Sequence, residues 1–368
     1  MSITFDAGGS GCTPPTSYPD LFISLLGETQ AAVTSKVTAA WTQLFHDPTN
    51  TNNVYYTGPG ANEAYIWDVA DNEVRTEGMS YGMMIAVQLD HQTEFDALWT
   101  FVKQYMAQPN GQFAWHTTTT GGLIDGATNS APDGDEYFAM ALVFAANRWG
   151  NAGTYNYANE AEAVLTTLVN QEFDPNLHLV LFGPGVTTFT DGSYVLPAFY
   201  QVWACVDPVN QAFWQTAVPA ARTFFHNAAN ATTGIVPDHS SLAGAPESNF
   251  GSDAVRVVVN IMMDHNFFDA DPWQTTWAST FAAFFQSQGP NYVDAYTPAG
   301  MPVDGGTHSP HIVACNATLG FGVSSSVGMP FVQALWNLPI PTGEFRYYDG
   351  MLYLLALLHV SGSFELWY

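Results

Sequence analysis

From Thr29 to Val360 the chain is dominated by paired segments in which apolar residues recur every three or four positions, and this pattern commits it to a helical fold. The first segment carries Val33, Val37, Ala40, Trp41, Leu44 and Phe45 and ends near His46, and residues 47–62 read as loop. Helices are then expected over 77–89 and from Phe95 to Met106, followed by pairs at 135–149 with 157–169, 194–206 with 211–227, and 253–268 with 273–286. Two more, near 308–323 and 347–360, flank a shorter one at 330–336. Each pair with its short link is a helical hairpin. The one expected β-hairpin lies at 177–190, where Val180, Leu181 and Phe182 precede a Gly-Pro-Gly turn.

Glu77, Asp133, Tyr194, Asp253 and His308 each stand at or just before an expected helix start, at spacings of 56, 61, 59 and 55 residues, one hairpin per step. If alternate helices line the inside of a ring, their N-termini open at one end and these five side chains meet at one mouth. Identity between the units is too weak to mark a sequence repeat. The geometry nevertheless describes an all-α barrel of paired helices with a polar site on one rim, where loops gather function. No linker or shift of composition divides the chain. A single domain over 1–368 is expected, with residues 1–16, rich in Gly, Ser, Thr and Pro, as an irregular arm.

Composition narrows the partners. With 33 acidic against 7 basic residues the net charge is −26, which argues against nucleic acid or an anionic membrane surface. A neutral substrate fits better. Aromatics make up 14% of the chain, and sugar rings present C–H faces that pack on aromatic planes, although most aromatics in any chain serve the core. No apolar run is long enough to span a bilayer, so a soluble protein is expected, cytoplasmic or secreted and shown without a leader; a monomer is the expected state. Cys12, Cys205 and Cys315 are too few and too scattered for a disulfide framework.

The stretch RTEGMSYGMM, from Arg75 to Met84, sets one carboxylic acid, Glu77, inside an apolar run. Burial raises the pKa of such a group, the condition a general acid needs; Arg75 lies close enough in sequence to oppose that shift. Asp133, with Asp135 beside it, and Asp253 also precede apolar helices. Acidic residues at helix starts are often caps, but these three open elements that read as inner and buried. Two carboxyls facing each other across a groove are the apparatus for cleaving a glycosidic bond. Arg256, one helical turn after Asp253, can hold that aspartate ionised, as a base requires.

RTEGMSYGMM, together with APDGDEYFAMALVFAANRW (131–149), SDAVRV (252–257) and RYYDGMLYLLALLHVSGSF (346–364), resembles the sequence blocks of glycoside hydrolase family 8, in the family's order and across nearly the whole chain. The resemblance implies an (α/α)6 barrel and an inverting mechanism. By position it makes Glu77 the general acid, Asp253 the general base, Asp133 a binder of the distorted sugar and Tyr194 a holder of the attacking water. Trp115, in FAWHT, resembles a sugar-stacking platform, and Tyr137, Arg256, His308 and Tyr348 are the further substrate-binding candidates. Pro132 is typical of the xylan-acting branch, so xylo-oligosaccharide or xylan is the implied substrate; β-glucan or chitosan hydrolysis, or sugar binding without catalysis, are the alternatives. EGMSYGMM and SDAVRV look closer to the enzymes that release xylose from the reducing end. Those enzymes block the cleft with a histidine-bearing loop, and THSPH, from Thr307 to His311, stands at about that place. It departs from the family's Leu-His-Pro pattern, which keeps endo-xylanase open.

No cofactor or metal is implied. His308 and His311 lack the further ligands of a zinc site, Asp133-Gly-Asp-Glu lacks the rest of a calcium loop, and no nucleotide-binding or GxSxG motif occurs.

Overall fold

The computed structural model describes residues 12–368. Thirteen α-helices follow one another among these: α1 (Leu21–Leu26), α2 (Gln30–His46), α3 (Thr76–Gln88), α4 (Gln92–Phe101), α5 (Pro132–Trp149), α6 (Tyr157–Thr167), α7 (Pro197–Val206), α8 (Gln211–Ala228), α9 (Val257–Phe268), α10 (Trp273–Ser287), α11 (Pro310–Asn316), α12 (Ser325–Asn337) and α13 (Arg346–Val360). The odd-numbered helices from α3 to α13 are buried almost all round, as only elements enclosed by others can be. In α3 every residue but Glu77 is buried, and in α13 every residue but Tyr348.

These six form a ring. α3 packs on α5 and α13, α13 on α11, α11 on α9, and α9 on α7. The circle closes where Tyr137 of α5 meets the edge of Phe199 of α7 at 4.9 Å and Tyr200 donates to Glu136 at 2.7 Å. The even-numbered helices from α2 to α12 lie outside, each against one inner neighbour: α2 on α13, α4 on α3, α6 on α5, α8 on α7, α10 on α9 and α12 on α11. The result is the (α/α)6 barrel. Glycine permits the tightest approaches at the rim: a Cβ on Gly78 would stand 2.4 Å from the Tyr347 ring, and one on Gly134 would stand 2.6 Å from Thr76.

Two expectations about strands are corrected. Residues 177–190 turn back, with the Phe182 amide donating to the Phe189 carbonyl at 3.4 Å, but form no two-stranded ladder of their own. Instead β5 (Phe189–Asp191) pairs antiparallel with the distant β6 (His239–Ser241), because loops from two successive hairpins meet at the rim. The segment read as loop contains β1 (Tyr55–Thr57), which pairs with β2 (Ala64–Ile66). A third pair, β3 (Val74–Arg75) with β4 (His116–Thr117), sets Arg75 opposite His116 at the entry to α3. The helices expected at 308–323 and 330–336 also differ: the first is α11 followed by a 3-10 turn, Ala317–Phe321, and the second is longer.

Of the expected arm, residues 1–11 lie outside the described residues, and 12–16 are irregular. The cysteine count also misled. Cys12 and Cys205 form a disulfide that ties the arm to the end of α7, while Cys315 is free and buried. None of the described helices is long and apolar enough to cross a membrane.

Candidate active site

All six inner helices begin at one end of the ring, so their first turns share a rim. Its centre is Arg256, which ends the 3-10 turn Ala254–Arg256 ahead of α9 and is buried. Nη1 lies within hydrogen-bond distance of Glu77 Oε2 (2.8 Å), Asp133 Oδ2 (2.8 Å) and the Tyr81 hydroxyl (2.9 Å); Nη2 donates to Asp253 Oδ1 at 2.9 Å. One guanidinium thus gathers three carboxylates from three different hairpins. The planar donor fork holds Glu77 and Asp253 on its two terminal nitrogens, so their bound oxygens stand at most about 8 Å apart.

A single cation cannot neutralise three acids, and burial decides which of them keeps a proton. Glu77 is pushed up to about 7: burial raises it, Arg256 opposes, and the charges of Asp133 and Asp253 add to the rise. The Tyr347 hydroxyl donates to its other oxygen at 2.8 Å, which works the other way. Asp133 is raised too, by burial against the pull of Arg256. Asp253 differs in setting, its side chain being 48% exposed and bonded to Nη2. Its turn is fixed from below by Asp238, whose Oδ1 accepts from the amides of Gly251 (3.0 Å) and Ala254 (2.8 Å).

Glu77 and Asp253 line one cavity of about 660 Å³. Its wall includes Asp68, Asp71 and Arg75, and also Asp304, Gly305 and Thr307 of a loop from Asp294 to Ser309. Asp294 clamps that loop: its Oδ1 accepts from the Thr307 amide at 2.8 Å, and its Oδ2 accepts from Ser309 and stands 3.3 Å from His311 Nε2. His311 Nδ1 lies 2.8 Å from Asp349 Oδ1. Burial disfavours the cationic imidazole, but the two carboxylates outweigh it and raise the pKa of His311, while the same contacts hold Asp294 below the usual carboxylate range despite its burial.

The structure brings Glu77, Asp133, Asp253 and Arg256 together, with Tyr194 beside them: the Arg256 guanidinium carbon is 5.9 Å from the centre of the Tyr194 ring, and Asp133 and Tyr194 are buried behind the cavity lining. Asn260 of α9 holds the Tyr194 turn by donating to the carbonyls of Ser193 and Val195. Tyr348 lines the cavity and donates to the Ser252 carbonyl at 2.6 Å. Trp115 is half-buried beside the α3 entry, stacked on His116 at 3.5 Å, and its carbonyl accepts from the Thr76 amide.

Three placements differ from the sequence reading. Tyr137 is buried under the rim between Tyr81 and Phe199, on the far side of Arg256 from the cleft, because its helix face points into the ring. His308 is exposed and turned away, its Nδ1 on the Tyr292 carbonyl at 2.7 Å; the imidazole that lines the cavity belongs to His311. Arg75 does not touch Glu77. It pairs with Asp68 (3.3 Å), Glu73 (2.5 Å) and Asp71, and these three acids, with oxygens within 4.8 Å of one another, have the guanidinium where a metal ion would otherwise sit. Sequence reasoning missed Tyr347, Tyr81 and Phe345, the last 63% exposed on the cavity wall. The RYYDG block held the signal for Tyr347, since it falls in the first turn of an inner helix.

A helical barrel whose rim offers a raised carboxyl and a second, more exposed carboxylate on one cavity has the paired acids of a glycoside hydrolase. Residues 17–362 match the family model for glycosyl hydrolases family 8, and the chain belongs to that family, whose members invert configuration. It is 36% identical to a reducing end xylose-releasing exo-oligoxylanase of Halalkalibacterium halodurans, over 95% of each chain. A crystal structure of a reducing end xylose-releasing exo-oligoxylanase superposes with a TM-score of 0.90 at 35% identity, covering 96% of this chain and 97% of that one. A xylohexaose complex of a catalytic mutant xylanase from Teredinibacter turnerae gives 0.91 at 36% identity, covering 95% and 98%.

Proposed function

We propose that the protein hydrolyses β-1,4-xylosidic bonds with inversion, acting on xylo-oligosaccharides and releasing xylose from the reducing end. The observation that carries the chemistry is the shared guanidinium, which gathers Glu77 and Asp253 onto one cavity. Glu77, protonated up to about neutral pH, gives its proton to the leaving glycosidic oxygen. Asp253 takes a proton from water, which attacks the anomeric carbon from the opposite face. Tyr194 orients that water, and Asp133, fixed by Arg256, holds the sugar at the cleavage site. Tyr348 and Phe345 line the cavity and offer aromatic faces to the sugars, with Trp115, beside the α3 entry, as a further platform. The relatives named above support the choice of xylan over other glycans, and the clamped loop from Asp294 to Ser309 supports a cleft closed at one end.

A second reading has its own support. His308 does not face the cavity, and a relative of equal similarity is a xylanase, which favours internal cleavage. Incubation with xylohexaose separates the two: xylose released one unit at a time, with xylopentaose as co-product, marks the exo enzyme, and mixed shorter oligomers the endo enzyme. Proton NMR of the first product gives the anomer. Cleavage of β-glucan or chitosan in preference to xylan would replace the substrate, and no cleavage of any of the three would end the hydrolase reading.

A further inference from the structure

Beneath Asp133 lies a second pair of acids that the reaction does not use. Asp135, one turn into α5, and Glu172, at the end of the wide helical turn Leu168–Glu172 that follows α6, are 1% and 0% exposed. Glu172 Oε1 accepts from Ser130 Oγ at 2.5 Å and Gln112 Nε2 at 3.0 Å, and Gln112 also bonds Ser130 at 3.1 Å. Both oxygens of Asp135 and Oε2 of Glu172 are buried with no partner in hydrogen-bond geometry among the described residues. A buried carboxylate oxygen left without a donor keeps its desolvation cost uncompensated, the more so when charged, so three together call for a donor.

No cation supplies it. The charged and titratable groups facing the pair are Asp133 and Glu136 on α5, with Tyr200 of α7 on Glu136, and the one nearby guanidinium, Arg256, is bonded to Asp133. Burial and then the charge of Glu172 push Asp135 well above the carboxylate range, with the Phe113 amide opposing; Glu172 is raised by burial and lowered by Ser130, Asp135 and Gln112. A carboxyl proton on Asp135 directed at Glu172 meets the need of both groups.

We propose that Asp135 and Glu172 share one proton beneath the cleft and that the joined pair positions Asp133 and Trp115. The connections run both ways. Ser130 lies just ahead of α5, whose first turn carries Asp133, and Gln112 begins the segment that leads to Trp115, whose amide donates to the Asn129 carbonyl at 3.1 Å. Both acids are positioning residues, since neither lines the cavity.

The activity readout rests on the hydrolase reading, but the stability readout does not, so the two can fail separately. Thermal unfolding from pH 5 to 8 and kcat and KM on xylohexaose are measured for the wild type, Asp135→Asn and Asp135→Leu. A carboxyl with a raised folded pKa stabilises fully below its unfolded pKa and loses that contribution as pH rises through the folded value. Asparagine cannot ionise yet still donates to Glu172. Its variant therefore shows a shallower fall of Tm with pH and a kcat within about threefold of wild type. Leucine leaves Glu172 without its donor and lowers kcat by about 100-fold with little change in KM, the effect of a misplaced Asp133. A Tm slope for Asp135→Asn equal to wild type, a kcat loss in it as deep as in Asp135→Leu, or wild-type kcat in Asp135→Leu each overturns the proposal. Should the leucine variant not fold, the asparagine variant decides alone.

Discussion

Replacing Arg256 with Met tests the electrostatic centre of the site. The side chain is buried and donates to three carboxylates and a tyrosine, so its removal leaves acids without a cation. Breaking a buried ion pair from one side costs about 3–5 kcal/mol, because the remaining charge stays desolvated. That figure applies only where the carboxylates are ionised. Without Arg256, which lowers both groups, Glu77 and Asp133 rise further and take up protons instead. The sign follows from linkage: folded carboxyls with raised pKa values bind more protons than the unfolded chain, so stability falls as pH increases. Wild type has this slope through Glu77, from its unfolded value to about 7. Asp133, already raised in the wild type, rises with Glu77 in the variant, so its proton is held to higher pH and the slope steepens by up to about 1.4 kcal/mol per pH unit over the added range. Urea unfolding at pH 5 and pH 8 measures it: the variant should approach wild-type stability at pH 5 and lose about 3–5 kcal/mol at pH 8. An equal loss at both pH values would refute the reasoning, because it would mean that Arg256 acts through packing and not through charge.

Glu77→Gln should lower kcat by at least about 100-fold while leaving the fold intact, since α3 keeps its buried faces; circular dichroism and steady-state kinetics check both. The wild-type activity profile should fall on the alkaline side as pH passes about 7, where Glu77 loses the proton it must donate, and a limb that stays flat to pH 9 would remove Glu77 from the acid role. Phe345→Ala should weaken xylohexaose binding by up to about tenfold and leave kcat unchanged, since the exposed ring offers stacking area without touching Glu77 or Asp253. Reducing the Cys12–Cys205 disulfide should lower stability by about 2–5 kcal/mol without changing KM, because it ties the arm to the end of α7 and lies off the cavity.

The legibility of the site followed the helices. Glu77, Asp133 and Asp253 stand at the starts of apolar helices, and the near-equal spacing of those starts along the chain points them to one rim. Tyr137 shows the limit of that argument. It shares a helix with Asp133, but four residues later its side chain has turned under the rim and into the core. His308 fails for a related reason: it precedes its helix, where the backbone direction is set by the loop, and His311 one turn on is the residue that faces the cavity.

By itself, the sequence determined the all-α architecture, the barrel of paired helices and the family, because helical periodicity and short motifs are local properties that survive any tertiary arrangement. Tertiary structure alone decided who partners whom. Arg75, two residues from Glu77, turns to Asp68, Asp71 and Glu73, while Arg256, far along the chain, supplies the guanidinium that Glu77 shares with Asp133 and Asp253. The cross-hairpin strand pairs, the Cys12–Cys205 bridge and the burial of Asp135 against Glu172 belong to the same class. Each depends on distances between segments far apart in sequence, which only closure of the ring sets. Charge and burial act through space, and neighbours in sequence need not be neighbours there.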